Sequence, residues 1–115
     1  MIVEDNKEMN DYLASIFGEK YDIIRAYNGA EACKKIAKQL PNLIISDLMM
    51  PVMDGLEATR RIRNGENPLG RIIPILAMTA NAFLEDMQKS KEAGMDEHLS
   101  KPVDIRALEQ TVKRF

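Results

Sequence analysis

Three carboxylates, one lysine amine and one threonine hydroxyl share a placement: each follows a short apolar or strand-like run. Glu4 and Asp5 come after Met-Ile-Val, Asp47 after Leu43 to Ser46, Thr79 after Ile75 to Met78, and Lys101 after His98 to Ser100. If the chain brings these ends together, the acids repel one another, and an unpaired buried charge is costly, so cations must be present. Lys101 supplies one and a divalent ion the second. With only oxygen donors on offer, Mg²⁺ or Mn²⁺ is favoured over zinc, and magnesium uses one or two carboxylates together with phosphate oxygens. Three acids, an ion, an ammonium and a hydroxyl make a site for a phosphoryl group, and an aspartate is an established phosphoryl acceptor. Taken singly, each residue also has a plain structural reading: Glu4-Asp5-Asn6 as a helix cap, Asp47 as a turn cap, Thr79 as the cap of the next helix, Lys101 as a surface amine.

What would position them is an alternation of strands and helices. Met9, Tyr12, Leu13, Ile16 and Phe17 fall on one face of a helix stopped by Gly18. Tyr21 to Tyr27 reads as a strand, Asn28-Gly29 as a turn, and Ala30 to Leu40 as a helix ended by Pro41. Leu43 to Ser46 is a nearly continuous apolar run, as in a strand covered on both faces of a parallel sheet. Leu56 to Arg63 reads as a helix, Asn64 to Gly70 as a loop, and Ile72 to Met78 as a strand. Ala82 to Ala93 is a helix closed by Gly94, His98 to Ser100 a short strand, and Ile105, Leu108, Val112 and Phe115 line a last helix. The pattern predicts a parallel sheet with helices on both faces, and in such sheets ligands bind beyond the carboxyl ends of the strands. That explains why the buried run Leu43 to Ser46 stops at an acid.

The totals narrow the field. One domain accounts for 115 residues. A balance of 16 Lys and Arg against 18 Asp and Glu carries no footprint for nucleic acid or a membrane surface. The single cysteine, Cys33, excludes a disulfide framework and reads as helix packing, and the methionines are given no ligand role. The longest charge-free run, Ile72 to Leu84, is 13 residues and is broken by Pro74, short of the roughly 18 that span a bilayer. A cytoplasmic domain is expected, and the abrupt apolar start and helical end suggest that residues 1–115 are one domain cut from a longer protein.

In four segments the chain resembles the receiver domain of two-component response regulators: IVEDN (Ile2 to Asn6), LIISDLMMPVMDG (Leu43 to Gly55), ILAMTA (Ile75 to Ala80) and HLSKP (His98 to Pro102). The resemblance implies a flavodoxin-like (βα)5 fold, a five-stranded parallel sheet in 2-1-3-4-5 order, an arrangement for which a response regulator is a known example. It implies that Asp47 takes a phosphoryl group from a phosphohistidine on a histidine kinase or histidine phosphotransfer domain. Glu4, Asp5, a carboxylate oxygen of Asp47 and the backbone carbonyl of Met49 would hold Mg²⁺, with Mn²⁺ as a substitute. Lys101 would pair with a phosphoryl oxygen, and the Thr79 hydroxyl would move to bond another. An aromatic side chain three residues before the lysine turns inward in this family; here it is His98, a departure from the common tyrosine or phenylalanine. Met49 and Asn81 hold the two positions that tune the phosphoryl lifetime, and Lys101-Pro102 resembles the family's cis-peptide junction.

The rivals differ at single features. A phosphatase of the haloacid dehalogenase type needs a second acid two residues after its nucleophile, where this chain has Met49. No GxGxxG or P-loop follows the first strand, and a serine triad has only His98 to build on and no GxSxG. A non-phosphorylated pseudo-receiver is opposed by retention of Glu4, Asp5, Asp47, Thr79 and Lys101. The segment from Thr79 to Asp104 looks most like receivers fused to hybrid sensor histidine kinases, with a free-standing regulator as the alternative. Such a parent can be membrane-anchored while this domain touches neither membrane nor nucleic acid directly. A phosphorylation-dependent homodimer through the fourth helix, fifth strand and fifth helix is compatible with the resemblance.

Overall fold

The structure is a computed structural model that describes residues 1–50, 52–79, 84–101 and 104–115, with backbone alone at 84–86. Its strands are β1 (Ile2–Val3), β2 (Arg25–Ala26), β3 (Ile44–Asp47), β4 (Ile75–Thr79) and β5 (Glu97–Ser100). Its helices are α1 (Lys7–Phe17), α2 (Gly29–Lys38), α3 (Gly55–Arg63), α4 (Leu84–Ala93) and α5 (Ile105–Arg114), with a short 3-10 turn at Pro68–Arg71. The sheet is five-stranded in the order β2-β1-β3-β4-β5 and parallel throughout, as the resemblance implies.

Successive strand residues bury on opposite sides, as a period of two requires. Val3, Ala26, Ile44, Ile75 and Ala77 pack with Ala32 of α2, Ile62 of α3 and Met95. Their neighbours Ile2, Ile45, Leu76 and Met78 pack on the other face with Leu13 and Phe17 of α1 and Leu108 of α5. Both faces are therefore covered, which is why the central strands read as unbroken apolar runs.

The boundaries differ from expectation for local reasons. Only Arg25–Ala26 of the expected strand from Tyr21 to Tyr27 is ladder-paired, because β2 is an edge strand with β1 as its one partner. Asn28 is a cap and not a turn residue: its side chain accepts from the Glu31 N–H at 2.8 Å and opens α2 at Gly29. β4 starts after Pro74, which has no N–H to give the ladder, while Ile72 sits 74% exposed at the end of the 3-10 turn. That turn occupies part of the expected loop from Asn64 to Gly70, and Asn67-Pro68 supplies its cap and first residue. Tyr12 and Phe115, placed on buried faces by periodicity, are largely exposed. Gly94 ends α4 with φ +109°, a backbone conformation that suits glycine.

Because all five strands run the same way, their carboxyl ends lie along one edge. Glu4 follows β1, Asp47 ends β3, Thr79 ends β4 and Lys101 follows β5. Thr79 is thus the last strand residue, one position earlier in the architecture than expected.

Candidate functional site

Capping is done by other residues at three helices. Asn6 caps α1, accepting from the Met9 N–H at 3.0 Å, Asp54 caps α3, accepting from Glu57 N–H at 2.8 Å, and Asp104 caps α5. Glu4, Asp5 and Asp47 are therefore left over from the structural tasks first open to them. Glu4 has no exposed surface and Asp47 is 6% exposed, so two acids sit in the interior at the edge of the sheet. Asp5 is exposed beside them, and each of the three offers a carboxylate oxygen within 4.8 Å of the others.

Lys101 reaches this cluster from the far side of the sheet. Its ammonium donates to Glu4 Oε1 at 2.7 Å and to Asp47 Oδ2 at 3.1 Å. One cation therefore serves two buried carboxylates, and among the described residues Glu4 Oε2 is buried with no hydrogen-bond partner. The electrostatics follow. Burial, and next the neighbouring Asp47, push the Glu4 carboxyl up to about 7, while Lys101 opposes the rise. For Lys101 burial acts to lower its pKa, but the bond to Glu4 and the charges of both acids outweigh it and leave the ammonium more firmly protonated than usual.

The cluster is short of positive charge, and it has an oriented, unbonded oxygen. Those features fit a divalent cation held by hard oxygen donors. Glu4, Asp5 and Asp47 could hold such an ion.

The backbone behind Asp47 is tightly constrained. A Cβ on Gly55 would fall 2.3 Å from the Asp47 carbonyl oxygen, so only glycine lets α3 start this close to the site. Gly55 N–H donates to Leu48 O at 3.1 Å, and the buried Ser46 hydroxyl donates to Asp47 O at 2.9 Å. Between them the loop carries Val52 at φ +71°, a strained conformation for a β-branched residue. Val52 and Met49 are 86% and 75% exposed, which puts two apolar side chains on the loop that follows Asp47.

The remaining expected residues fall as follows. Thr79 is buried, pairs with Ser100 across the ladder, and its carbonyl accepts the Lys101 N–H at 2.8 Å. His98 is half-buried on β5, opposite Ala77, with Nε2 at 3.5 Å from Ser90 Oγ on α4. Asn81 and Pro102, the latter with the expected cis junction, lie outside the described residues. Cys33 is on α2, its thiol pushed up by burial, in keeping with packing. It lines a cavity of about 400 Å³ between α2 and α3, and a second of about 380 Å³ opens near Ile23 and Leu43; Asp47 lines neither.

Two polar residues of structural weight escaped the sequence. Asn10 is completely buried, and its amide donates to Glu4 O at 3.0 Å and Ala26 O at 3.1 Å. Arg63 bonds Gly94 O, Gly70 O, Ile73 O and Asp96. Asn10 had a signal, a polar residue in line with Leu13 and Phe17 on the buried stripe; Arg63 had none, since its partners are distant in sequence.

A five-stranded parallel sheet in this order, with an acid cluster and a lysine at its carboxyl edge, defines a phosphoryl-handling receiver architecture. Residues 1–113 match the response regulator receiver domain, and the chain belongs to that family, whose members serve two-component systems. Among its relatives, the sensor histidine kinase RcsC of Salmonella typhi is 38% identical over 113 residues, 97% of this chain and 12% of that kinase. The polar-differentiation response regulator DivK of Brucella anthropi is 33% identical over 116 residues, all of this chain and 93% of its own. Among solved structures, the receiver domain of a sensor histidine kinase from Pseudomonas aeruginosa, with a magnesium ion coordinated in its active-site cleft, is 34% identical with a TM-score of 0.88. That match covers 98% of this chain and 92% of the other. The chemotaxis protein CheY4 of Vibrio cholerae has a TM-score of 0.90 at 30% identity, covering 98% and 93%. The chain thus spans about an eighth of the kinase relative and nearly all of the free-standing one. Among the described residues no helix is long and apolar enough to cross a membrane.

Proposed function

We propose that Asp47 is the phosphoacceptor of this receiver domain, taking a phosphoryl group from a phosphohistidine on a histidine kinase or histidine phosphotransfer domain. The observation that carries the proposal is the shared ammonium: Lys101 bridges Asp47 and Glu4, while a second Glu4 oxygen is buried with no bond among the described residues. In the transfer, an Asp47 oxygen bonds to phosphorus as the donor's phosphorus–nitrogen bond breaks, and the leaving imidazole keeps the electron pair. No general base is needed, because an ionised carboxylate is already a nucleophile. Glu4, Asp5, Asp47 and the Met49 backbone carbonyl would hold Mg²⁺, or Mn²⁺ in its place, which supplies charge neutralisation for a loose, spread-out transition state. Lys101 turns from the carboxylates to a phosphoryl oxygen without leaving the cleft.

After transfer Asp47 carries a dianionic group, and the Thr79 hydroxyl moves to bond one of its oxygens. His98 then turns inward, releasing its contact with Ser90. Met49 and Asn81 set how long the phosphoryl group survives water, Met49 by placing an apolar side chain beside it. The haloacid dehalogenase reading has no acid to act at Met49. A hybrid sensor histidine kinase is the proposed parent, supported by the kinase relative and by the likeness of Thr79 to Asp104; a free-standing regulator like DivK is the alternative. In either setting the domain works on the cytoplasmic side, and phosphorylation-dependent pairing of two copies is compatible with it.

Incubating the protein with Mg²⁺ and acetyl phosphate, followed by intact-mass analysis, tests the proposal. One added phosphoryl group is expected, lost in Asp47→Asn; an unchanged adduct in that variant would overturn the assignment.

A further inference from the structure

We infer that Asn10 is a positioning residue for the metal-binding acids and that Arg25 holds Asn10 in the orientation this requires. The inference rests on the metal reading of the site proposed above. Asn10 lies on the inward stripe of α1 with Leu13 and Phe17, and it has no exposed surface. An aliphatic residue would pack there at no polar cost, whereas a buried amide is tolerated only when its hydrogen bonds are made.

Both amide N–H groups of Asn10 and its oxygen find partners. Its amide nitrogen donates to the carbonyls of Glu4 at 3.0 Å and Ala26 at 3.1 Å. Its oxygen accepts from Arg25 Nε at 2.7 Å, and the Arg25 guanidinium is in turn paired with Asp11. An arginine has no acceptor, so its N–H fixes which end of the amide is oxygen and turns the nitrogen toward the two carbonyls. The backbone of Arg25 is itself held, its carbonyl accepting from the Lys35 ammonium.

The consequence falls on the peptide between Glu4 and Asp5. Glu4 N–H donates to Ala26 O at 3.1 Å, so β2 holds one side of the residue while Asn10 holds its carbonyl on the other. With both ends fixed, the Glu4 side chain is aimed into the cleft and the following residue, Asp5, is set beside it. Asp5 is exposed and no hydrogen bond of its own side chain is found among the described residues, so the backbone is what places it. Groups that orient ligands in this way characteristically change metal affinity when removed, without touching the metal.

The test is isothermal titration of Mg²⁺ into the unphosphorylated protein, well below its unfolding temperature, with circular dichroism confirming the fold of each variant. Asn10→Ala is expected to bind Mg²⁺ about 10-fold or more weakly than wild type. Arg25→Met, which leaves the buried residue in place and frees its amide, is expected to weaken binding severalfold. It serves as the second variant should Asn10→Ala fail to fold. Arg63→Met, remote from the acids, is the control that loses stability and keeps its Mg²⁺ affinity. Wild-type affinity in folded Asn10→Ala or in Arg25→Met would show a structural role alone and overturn the inference. Absence of Mg²⁺ binding by wild-type protein is a different failure, and it would remove the reading of the site on which the inference rests.

Discussion

Arg63 and Lys101 are both part-buried cations that join distant pieces of the chain to carboxylates, yet they leave their surroundings in opposite states. Arg63 spends every N–H: Nε and Nη2 on Gly94 O, Nη1 on Gly70 O and Ile73 O, and Nη2 also on Asp96 at 2.9 Å. Asp96 is satisfied as well, accepting the Ile75 N–H at 2.8 Å on the same oxygen. Around Lys101 two buried acids compete for one ammonium, a third acid stands beside them, and one oxygen has no bond among the described residues. A closed set of hydrogen bonds holds a fold together. An open, charge-deficient one is a place for something to bind.

Breaking each cation should therefore give different losses. Lys101→Met is expected to lower the rate of Asp47 labelling by acetyl phosphate by about 10²- to 10³-fold, because a charge aimed at the transferring group is removed. Quench-flow or timed mass analysis measures it, and a loss under fivefold would make Lys101 a structural tie like Arg63. Arg63→Met should cost about 3 kcal/mol of folding stability in a urea titration, since it orphans several carbonyls and Asp96. Its labelling rate, measured where it is folded, should match wild type.

A subtler separation comes from pH. Glu4 has a folded pKa near 7 against an ordinary 4.5. Its contribution is fully present below about pH 4.5, where both states are protonated, and is lost as pH rises through about 7. Relative to Glu4→Gln, which keeps every other titrating group including the buried Met1 amine, metal-free wild-type protein should thus lose on the order of 2 kcal/mol between pH 5 and pH 8. Urea midpoints at the two pH values decide it, and excess Mg²⁺ at pH 8 should restore the wild type. The smallest effect concerns lifetime: Met49→Asn should speed loss of the Asp47 phosphoryl group severalfold, and an unchanged decay would remove Met49 from that role.

The contrast also marks what could be read before folding. Alternating strands and helices, and acids at the ends of apolar runs, carry information locally, so the sheet order and the meeting of Glu4, Asp47 and Lys101 followed from sequence pattern and family resemblance. Strand ends were less legible: Pro74 delays β4 to Ile75, and edge position shortens β2 to Arg25–Ala26. Asn28 reads in the sequence as a turn residue and is a cap in the fold, because a cap and a turn draw on the same side chain. Arg63 acts through carbonyls made neighbours only by the fold, as far along the chain as Gly94, so no short motif announces it, whereas Asn10 shows in the sequence only as a polar residue on the buried stripe of α1.

The central claim is that the acid cluster is incomplete without a divalent ion. Titrating Mg²⁺ into wild-type protein and into Asp5→Asn, with heats recorded at pH 8, tests it most directly. Saturable binding of one ion by wild type, weakened ~10-fold or more in Asp5→Asn, is the expected result. Equal heats from the two proteins, or none from either, would contradict the account.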